Sequence, residues 1–346
     1  MNNVEKNREK LKEKFFTDGL PRLWCPPLTH YKENGEIDKE RMRMHFEYMK
    51  PYVNCFLVPG STGDGWEMND AEVKELLNFL LSEAKKHKFW IMIGALKTEK
   101  GETLQFIQKM VKEFVGENPT LDDFIQQRIC GFAVTPPQGK NVSQEEIYKE
   151  FEPIFDTGYP LALYQLPQIT ENEFSPRTFN KICDKYSNLY LMKDTSGNDR
   201  VVLSEFEARG VFMVRGMEGD YSEWIEPEGP YDGLLLSTAN CFARELTEII
   251  KQLEKGELNK GHKLSKTLTK AMDEIFEIVV ENLFFSNRFT NANKAIDHHF
   301  AYGENALKVS LPRSYGGNKF PEKVIQEIGL ILDKYNFSVE KGYLDG

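Results

Sequence analysis

Short apolar runs rich in β-branched and aromatic residues recur along the chain, and the apolar positions between them fall at helical spacing. The runs predict eight strands, at 22–28, 55–59, 89–95, 131–135, 160–166, 189–194, 211–215 and 233–237. The intervening segments carry helix patterns. From Asn69 to His87, Asn69 is placed to cap the helix, and Ala71, Leu76, Leu77, Leu80 and Ala84 are spaced for one face. Ser143 and Glu146 have capping-box spacing at the head of 143–156. Eight β/α units in about 240 residues fit a closed barrel of parallel strands. The rival is a doubly wound open sheet, which normally places a glycine-rich phosphate turn after its first strand. Here that turn reads Cys25-Pro26-Pro27-Leu28-Thr29.

After Asn240 no strand pattern returns. The expected organisation is therefore a charged helical arm over 1–20, a (β/α)8 TIM barrel over 21–240, and a helical C-terminal extension over 241–346 packed on the barrel. The extension is expected to break near Asn291, Gly303 and the loop from Pro312 to Gly317, and Gly116 to Gln127 reads as a polar insertion before the fourth strand.

Composition narrows the functional classes. With 346 residues and 40% hydrophobic positions, the chain is long enough for a large core. The net charge of −10 argues against a nucleic-acid partner, whose phosphates demand clustered Lys and Arg. No 18-residue apolar run is present, so no membrane partner is expected. The opening residues are dense in Lys, Glu and Arg without an apolar stretch, unlike a secretory signal. Five scattered cysteines with no CxxC pair fit reduced thiols in a cytoplasmic protein.

Candidate chemistry sits at three strand ends, where barrels of this kind collect reactive groups. The sixth strand ends in Leu191-Met192-Lys193-Asp194-Thr195. A lysine on an edge strand would reach water, but a lysine pointing into a barrel loses hydration, which lowers its pKa and leaves a nucleophilic amine able to form a Schiff base. The fifth strand carries Tyr164, either a core tyrosine or an inward phenol. The second leads into Gly60-Ser61-Thr62-Gly63-Asp64, either an ordinary turn or a nest for a carboxylate. Strands five and six are neighbours, and strand two lies across the mouth. Nest, phenol and amine together are what a 2-keto acid requires.

This combination resembles the family of dihydrodipicolinate synthase and N-acetylneuraminate lyase, the pyruvate-dependent class I aldolases. The resemblance spans roughly residues 20–335. Gly60-Ser61-Thr62-Gly63-Asp64 is similar to the family's GSTGE or GTTGE loop, with Asp for Glu, and Thr135-Pro136 to its T-P turn. Tyr164-Gln165-Leu166-Pro167 resembles its YNxP segment, and Lys193-Asp194-Thr195-Ser196-Gly197 its lysine segment. Asp232-Gly233 through Asn240 resembles its eighth strand, and Asn293-Lys294-Ala295 and Leu311-Pro312 its C-terminal region. The resemblance implies Lys193 as Schiff-base residue, Tyr164 as proton carrier and Ser61 as part of the relay. It implies substrate contacts from Ser61, Thr62, Gly216, Glu218, Leu235 and Ser237. No cofactor and no metal are expected. The partners implied are pyruvate or another 2-keto acid and an aldehyde, with assembly as a homotetramer or, second, a homodimer.

The departures bear on the substrate. The synthase branch has an arginine two residues after the YNxP proline, where this chain has Ile169, which cannot grip a carboxylate. Ser61-Thr62 is also the lyase-like version of the loop. The family's aromatic pair after Thr-Pro, one tyrosine of which completes a relay between subunits, is replaced by Pro137 and Gln138. Glu218 is positioned to hold a substrate hydroxyl, and Leu236 in place of a glycine leaves less room for a long sugar. The expected reaction is reversible C–C cleavage between pyruvate and an aldehyde, on a non-phosphorylated 2-keto-3-deoxy sugar acid. The alternatives are condensation of pyruvate with aspartate semialdehyde, dehydration of a keto-deoxy sugar acid, and a non-catalytic binding relative.

Overall fold

The computed structural model describes residues 2–205 and 208–345. Helix α1 (Asn3–Phe15) precedes strand β1 (Leu23–Trp24). Then follow α2 (Lys39–Met49), β2 (Cys55–Val58), α3 (Asp70–His87), β3 (Trp90–Ala95), α4 (Glu102–Phe114), α5 (Leu121–Gln126) and β4 (Ile129–Val134). The chain continues through α6 (Gln144–Phe155), β5 (Leu161–Gln165), α7 (Pro167–Thr170), α8 (Pro176–Lys185), β6 (Leu189–Asp194), β7 (Phe212–Arg215) and β8 (Gly233–Leu235). The eight strands form one parallel sheet in cyclic order, with β8 beside β1. A parallel bridge between Cys25 and Phe56 joins β1 to β2 and closes the (β/α)8 TIM barrel. The strands are buried on both faces, as a barrel sheathed in helices requires.

Local signals account for much of this. Asn69 caps α3 by accepting from the N–H groups of Ala71 and Glu72, and Glu72 returns a bond to the Asn69 N–H. Its buried face is Val73, Leu76, Leu77, Leu80, Leu81 and Ala84, each leucine contributing roughly 1.5–3 kcal/mol on burial. Ala71, expected on that face, is exposed. Ser143 and Glu146 form the expected capping box of α6.

Three expectations change. The segment from Gly116 to Gln127 is more than a polar insertion: Thr120 and Asp123 cap the short α5, which buries Phe124. The described residues linking β6 to β7 and β7 to β8 form turns instead of helices. Gly197, Gly210 and Gly219 with positive φ, and Pro227 and Pro230, break helical continuity there. In the C-terminal region α9 (Ala239–Glu254), α10 (Leu258–Asn282), α11 (Arg288–Tyr302) and α12 (Glu322–Lys334) pack together. The break lies at 283–287, and Asn291 is inside α11, because Asn287 caps that helix by accepting from the Thr290 N–H.

The N-terminal helix is docked against the barrel. Arg8 is fully buried and donates to the carbonyls of Cys183, Tyr186, Leu189 and Arg209. Phe16 meets Trp24, Trp90 and Tyr190 edge-on or tilted, at centroid separations of 5.9, 5.9 and 6.4 Å. Trp90 and Tyr190 stand at the starts of β3 and β6, so the end of α1 plugs the barrel floor and leaves the opposite rim as the mouth.

Candidate active site

Lys193 and Tyr164 are directly paired across β5 and β6. Parallel register sends both side chains to the same face of the sheet. The Lys193 ammonium nitrogen lies 4.2 Å from the centre of the Tyr164 ring. Lys193 is 5% exposed and Tyr164 1%. Among the described residues no side chain or carbonyl hydrogen-bonds or ion-pairs with the Lys193 amine. Burial pulls its pKa down to about 7, opposed by the fields of Glu218 and Cys25. The edge-strand reading of Lys193 is excluded, since β6 lies between β5 and β7.

Burial has the opposite effect on Tyr164, raising its pKa and keeping the phenol protonated at neutral pH. Thr195, two residues after the lysine, lies close enough to counter part of this rise. Its hydroxyl makes no regular hydrogen bond to any described residue. Gly216, at the end of β7, has no room for a side chain. A Cβ there would stand 2.2 Å from the Thr195 hydroxyl and 2.7 Å from the Lys193 Cε. Gly216 thus forms the wall against which the lysine stem packs.

Beneath the rim, Asp194 accepts from the Ser196 N–H at 2.9 Å and from Gln165 at 3.1 Å. The Gln165 carbonyl oxygen accepts from the Phe174 N–H at 2.8 Å. The Gln that replaces an Asn therefore ties the ends of β5 and β6 to the loop before α8.

Across the mouth, Ser61–Gly63 form a single 3-10 turn after β2. Gly63 donates to the Gly60 carbonyl, whereas Ser61 and Thr62, heading the turn, have N–H groups without an intrahelical acceptor. Gly63 is required by close approach: a Cβ would lie 2.5 Å from the Pro27 carbonyl oxygen. Asp64 ends the turn in the left-handed region at φ 63° and is fully buried. Its partners are Lys294 at 3.0 Å, Tyr31 at 3.1 Å and Ser286 at 3.2 Å.

The other expected substrate positions differ in character. Both Glu218 oxygens are engaged: Ser237 and the Thr238 N–H donate to one at 2.5 and 3.1 Å, and Thr238 and Tyr221 hydroxyls to the other at 2.6 and 3.2 Å. Ser237 and Glu218 are therefore one unit joining the ends of β7 and β8. Leu235 pairs with Trp24 and is fully buried. The sequence patterns assign no role to Thr195, Asp64 or Lys294 at this site. For the last of them, the spacing of Asn287, Thr290 and Lys294 along one helix face is the available signal.

One group of potential metal ligands occurs among the described residues. His30, His45 and Asp297 bring ligand atoms within 4.8 Å of one another. The donor set fits a resident cation poorly. Asp297 is already ion-paired with Arg41 and accepts from Tyr343 at 2.7 Å, and His45 bonds the Asn240 carbonyl at 2.8 Å. The guanidinium supplies the positive charge that a metal would bring. His298 and His299 turn to separate carbonyls, those of Ala306 and Ile325; His298 is buried and His299 partly buried.

Comparison with known proteins accords with this geometry. The dihydrodipicolinate synthetase family profile matches residues 128–284, which include β4 through β8 and both Tyr164 and Lys193. A 4-hydroxy-tetrahydrodipicolinate synthase of Thermotoga sp. (strain RQ2) is 25% identical over 255 residues, covering 72% of this chain and 81% of that protein. The synthase of Buchnera aphidicola subsp. Cinara cedri is also 25% identical, over 70% of this chain and 76% of its own. Among solved structures, the fold matches YagE, a prophage protein from E. coli K12, with TM-score 0.72, 18% identity and coverage of 92% and 100%. It likewise matches a Sulfolobus solfataricus 2-keto-3-deoxygluconate aldolase variant, with TM-score 0.70, 17% identity and coverage of 91% and 96%. The segment that carries Tyr164 and Lys193 is thus similar to the dihydrodipicolinate synthetase family, and this similarity supports a pyruvate-dependent carbon–carbon lyase.

Proposed function

We propose that the protein is a class I aldolase that reversibly joins pyruvate to a neutral hydroxyaldehyde, acting on a non-phosphorylated 2-keto-3-deoxy sugar acid. The observation that carries this reading is the Lys193 amine, buried, without a hydrogen-bond or ion-pair partner among the described residues, its pKa pulled down to about 7 beside the Tyr164 ring. In the proposed cycle the substrate carboxylate rests on the Ser61–Thr62 turn. The neutral amine attacks the C2 carbonyl, and Tyr164 delivers a proton as the carbinolamine loses water. The resulting iminium accepts the electron pair of the C3–C4 bond as that bond breaks. The C4 hydroxyl loses its proton to the Tyr164 oxygen or the substrate carboxylate, and the aldehyde departs. The pyruvate enamine is then protonated at C3, and hydrolysis frees pyruvate and Lys193. Thr195, Ser237 and Glu218 are assigned to the substrate's hydroxyl groups, and Gly216 and Leu235 to its walls. The site is assigned to a cytoplasmic homotetramer, with a homodimer as second choice.

The curated relatives are named as synthases, which favours aspartate semialdehyde as the rival aldehyde. Its carboxylate needs a cation, and an unmatched buried ion costs several kcal/mol. Ile169 lies on α7, partly buried against the core. Arg215 is occupied by the carbonyls of Met217 and Gly219 and by the Trp224 ring. Arg22 bonds the carbonyls of Asp232 and Glu226, before β8. Arg177 and Arg200 are exposed.

Two measurements test the proposal. Borohydride reduction with pyruvate should fix one pyruvyl group on Lys193, and labelling elsewhere contradicts it. With pyruvate in excess, kcat/KM should be higher for glyceraldehyde than for aspartate semialdehyde. The reverse preference would return the chain to the synthase reading.

A further inference from the structure

We infer that Lys294, on the C-terminal helix α11, is a positioning residue for the substrate carboxylate, acting through Asp64 on the Ser61–Thr62 turn. This rests on the proposed carboxylate role of that turn. Asn287, Thr290 and Lys294 are three and four residues apart, so they share one face at the head of α11. Each holds a different point of the turn. Asn287 donates to the Ser61 carbonyl at 3.1 Å, Thr290 to the Thr62 carbonyl at 3.0 Å, and Lys294 to the Asp64 carboxylate at 3.0 Å. The turn therefore takes its position from a helix outside the barrel.

Of these three contacts, only the Lys294 one is an ion pair, and both its side chains are at most 1% exposed. The ammonium also donates to the Arg313 carbonyl at 3.3 Å and lies 4.6 Å from the Tyr31 ring centre. On its outer side Lys294 borders a polar cavity of about 300 Å³ shared with Arg41 and Asp297. Without the ammonium, Asp64 would be a buried charge lacking its counter-ion beside a space that admits water. Turning outwards would restore its hydration and pull the Ser61 and Thr62 N–H groups out of line. Lys294 touches neither Lys193 nor Tyr164, so its removal should weaken capture of the carboxylate and spare the amine.

The test titrates borohydride trapping at the Lys193 peptide with two carbonyl compounds, pyruvate and acetaldehyde, the second having no carboxylate. In Lys294→Met the half-saturating pyruvate concentration should rise about tenfold or more, equivalent to losing one charge-assisted contact. The pyruvate plateau and the acetaldehyde curve should stay as in the unsubstituted protein. An unchanged pyruvate curve, or equal shifts for both compounds, overturns the inference. If Lys294→Met does not fold, Lys294→Gln, which keeps a donor near Asp64 but removes its counter-charge, is read in the same way. Thr290→Val should shift the pyruvate curve in the same direction by a smaller factor. A failure of the unsubstituted protein to trap pyruvate would instead overturn the Schiff-base reading, and this inference with it.

Discussion

At the scale of single residues, reactivity follows from desolvation. An ordinary lysine, with a pKa near 10.4, is neutral in about one molecule in several thousand at pH 7. With its pKa pulled down to about 7 by burial, about half of the Lys193 amines are neutral at pH 7. Schiff-base formation should therefore fall about tenfold per pH unit below 7 and level off above it, as read by borohydride trapping against pH. The same desolvation makes Lys193 costly to the fold. The folded state binds fewer protons than the unfolded chain between the two pKa values, so stability rises with pH from about 7 to about 10.4. The penalty is largest below pH 7 and fades towards pH 10, by about 1.4 kcal/mol for each pH unit crossed. Lys193→Met should abolish turnover and raise the urea midpoint, more at pH 6 than at pH 9. Tyr164→Phe keeps the ring beside the amine and removes the proton. Its rate should fall by ~10²–10⁴-fold with little change in stability, and a near-normal rate would make Tyr164 a packing residue.

At the scale of elements, the N-terminal helix contributes through one side chain. Arg8 supplies donors to four carbonyls at the ends of α8 and β6 and in the turn before β7. Arg8→Met would keep the stem and leave those acceptors unsatisfied in a dry interface. Buried polar groups stripped of partners cost ~1–3 kcal/mol each. We expect a loss of at least ~3 kcal/mol in equilibrium unfolding, with kcat preserved in the cold, because Arg8 lies at the floor and Lys193 at the mouth. The charged, lysine-rich pattern of this helix suggests a solvated arm. Its docking depends on carbonyls almost two hundred residues away, which no local pattern reveals.

For the whole molecule, several large apolar side chains stand out into solvent: Phe284 is 89% exposed, Leu330 68% and Leu203 61%. Phe284 lies in the 283–287 break, next to Ser286 and Asn287, which hold the Ser61–Asp64 turn. Aromatic side chains are enriched at the cores of surfaces that a partner covers. Light scattering at micromolar concentration should give a homotetramer, or else a dimer. A monomer would contradict the proposed assembly, and Phe284→Ser should then leave the molecular mass unchanged.

Local patterning was enough to define the barrel, because strand and helix periods are local and eight such units have essentially one way to close. It was also enough to pair Lys193 with Tyr164, since adjacent parallel strands bring their ends together. The cap at Asn69 and the capping box at Ser143 were legible for the same reason: their bonds span at most three residues. Everything that depends on distant groups meeting came from tertiary packing. Packing joined Asp64 to Lys294 across 230 positions, and the Ser237–Thr238 pair to Glu218 across two strand ends. It also set the pKa of the lysine, because desolvation is a property of everything packed around an amine and of no short segment of chain.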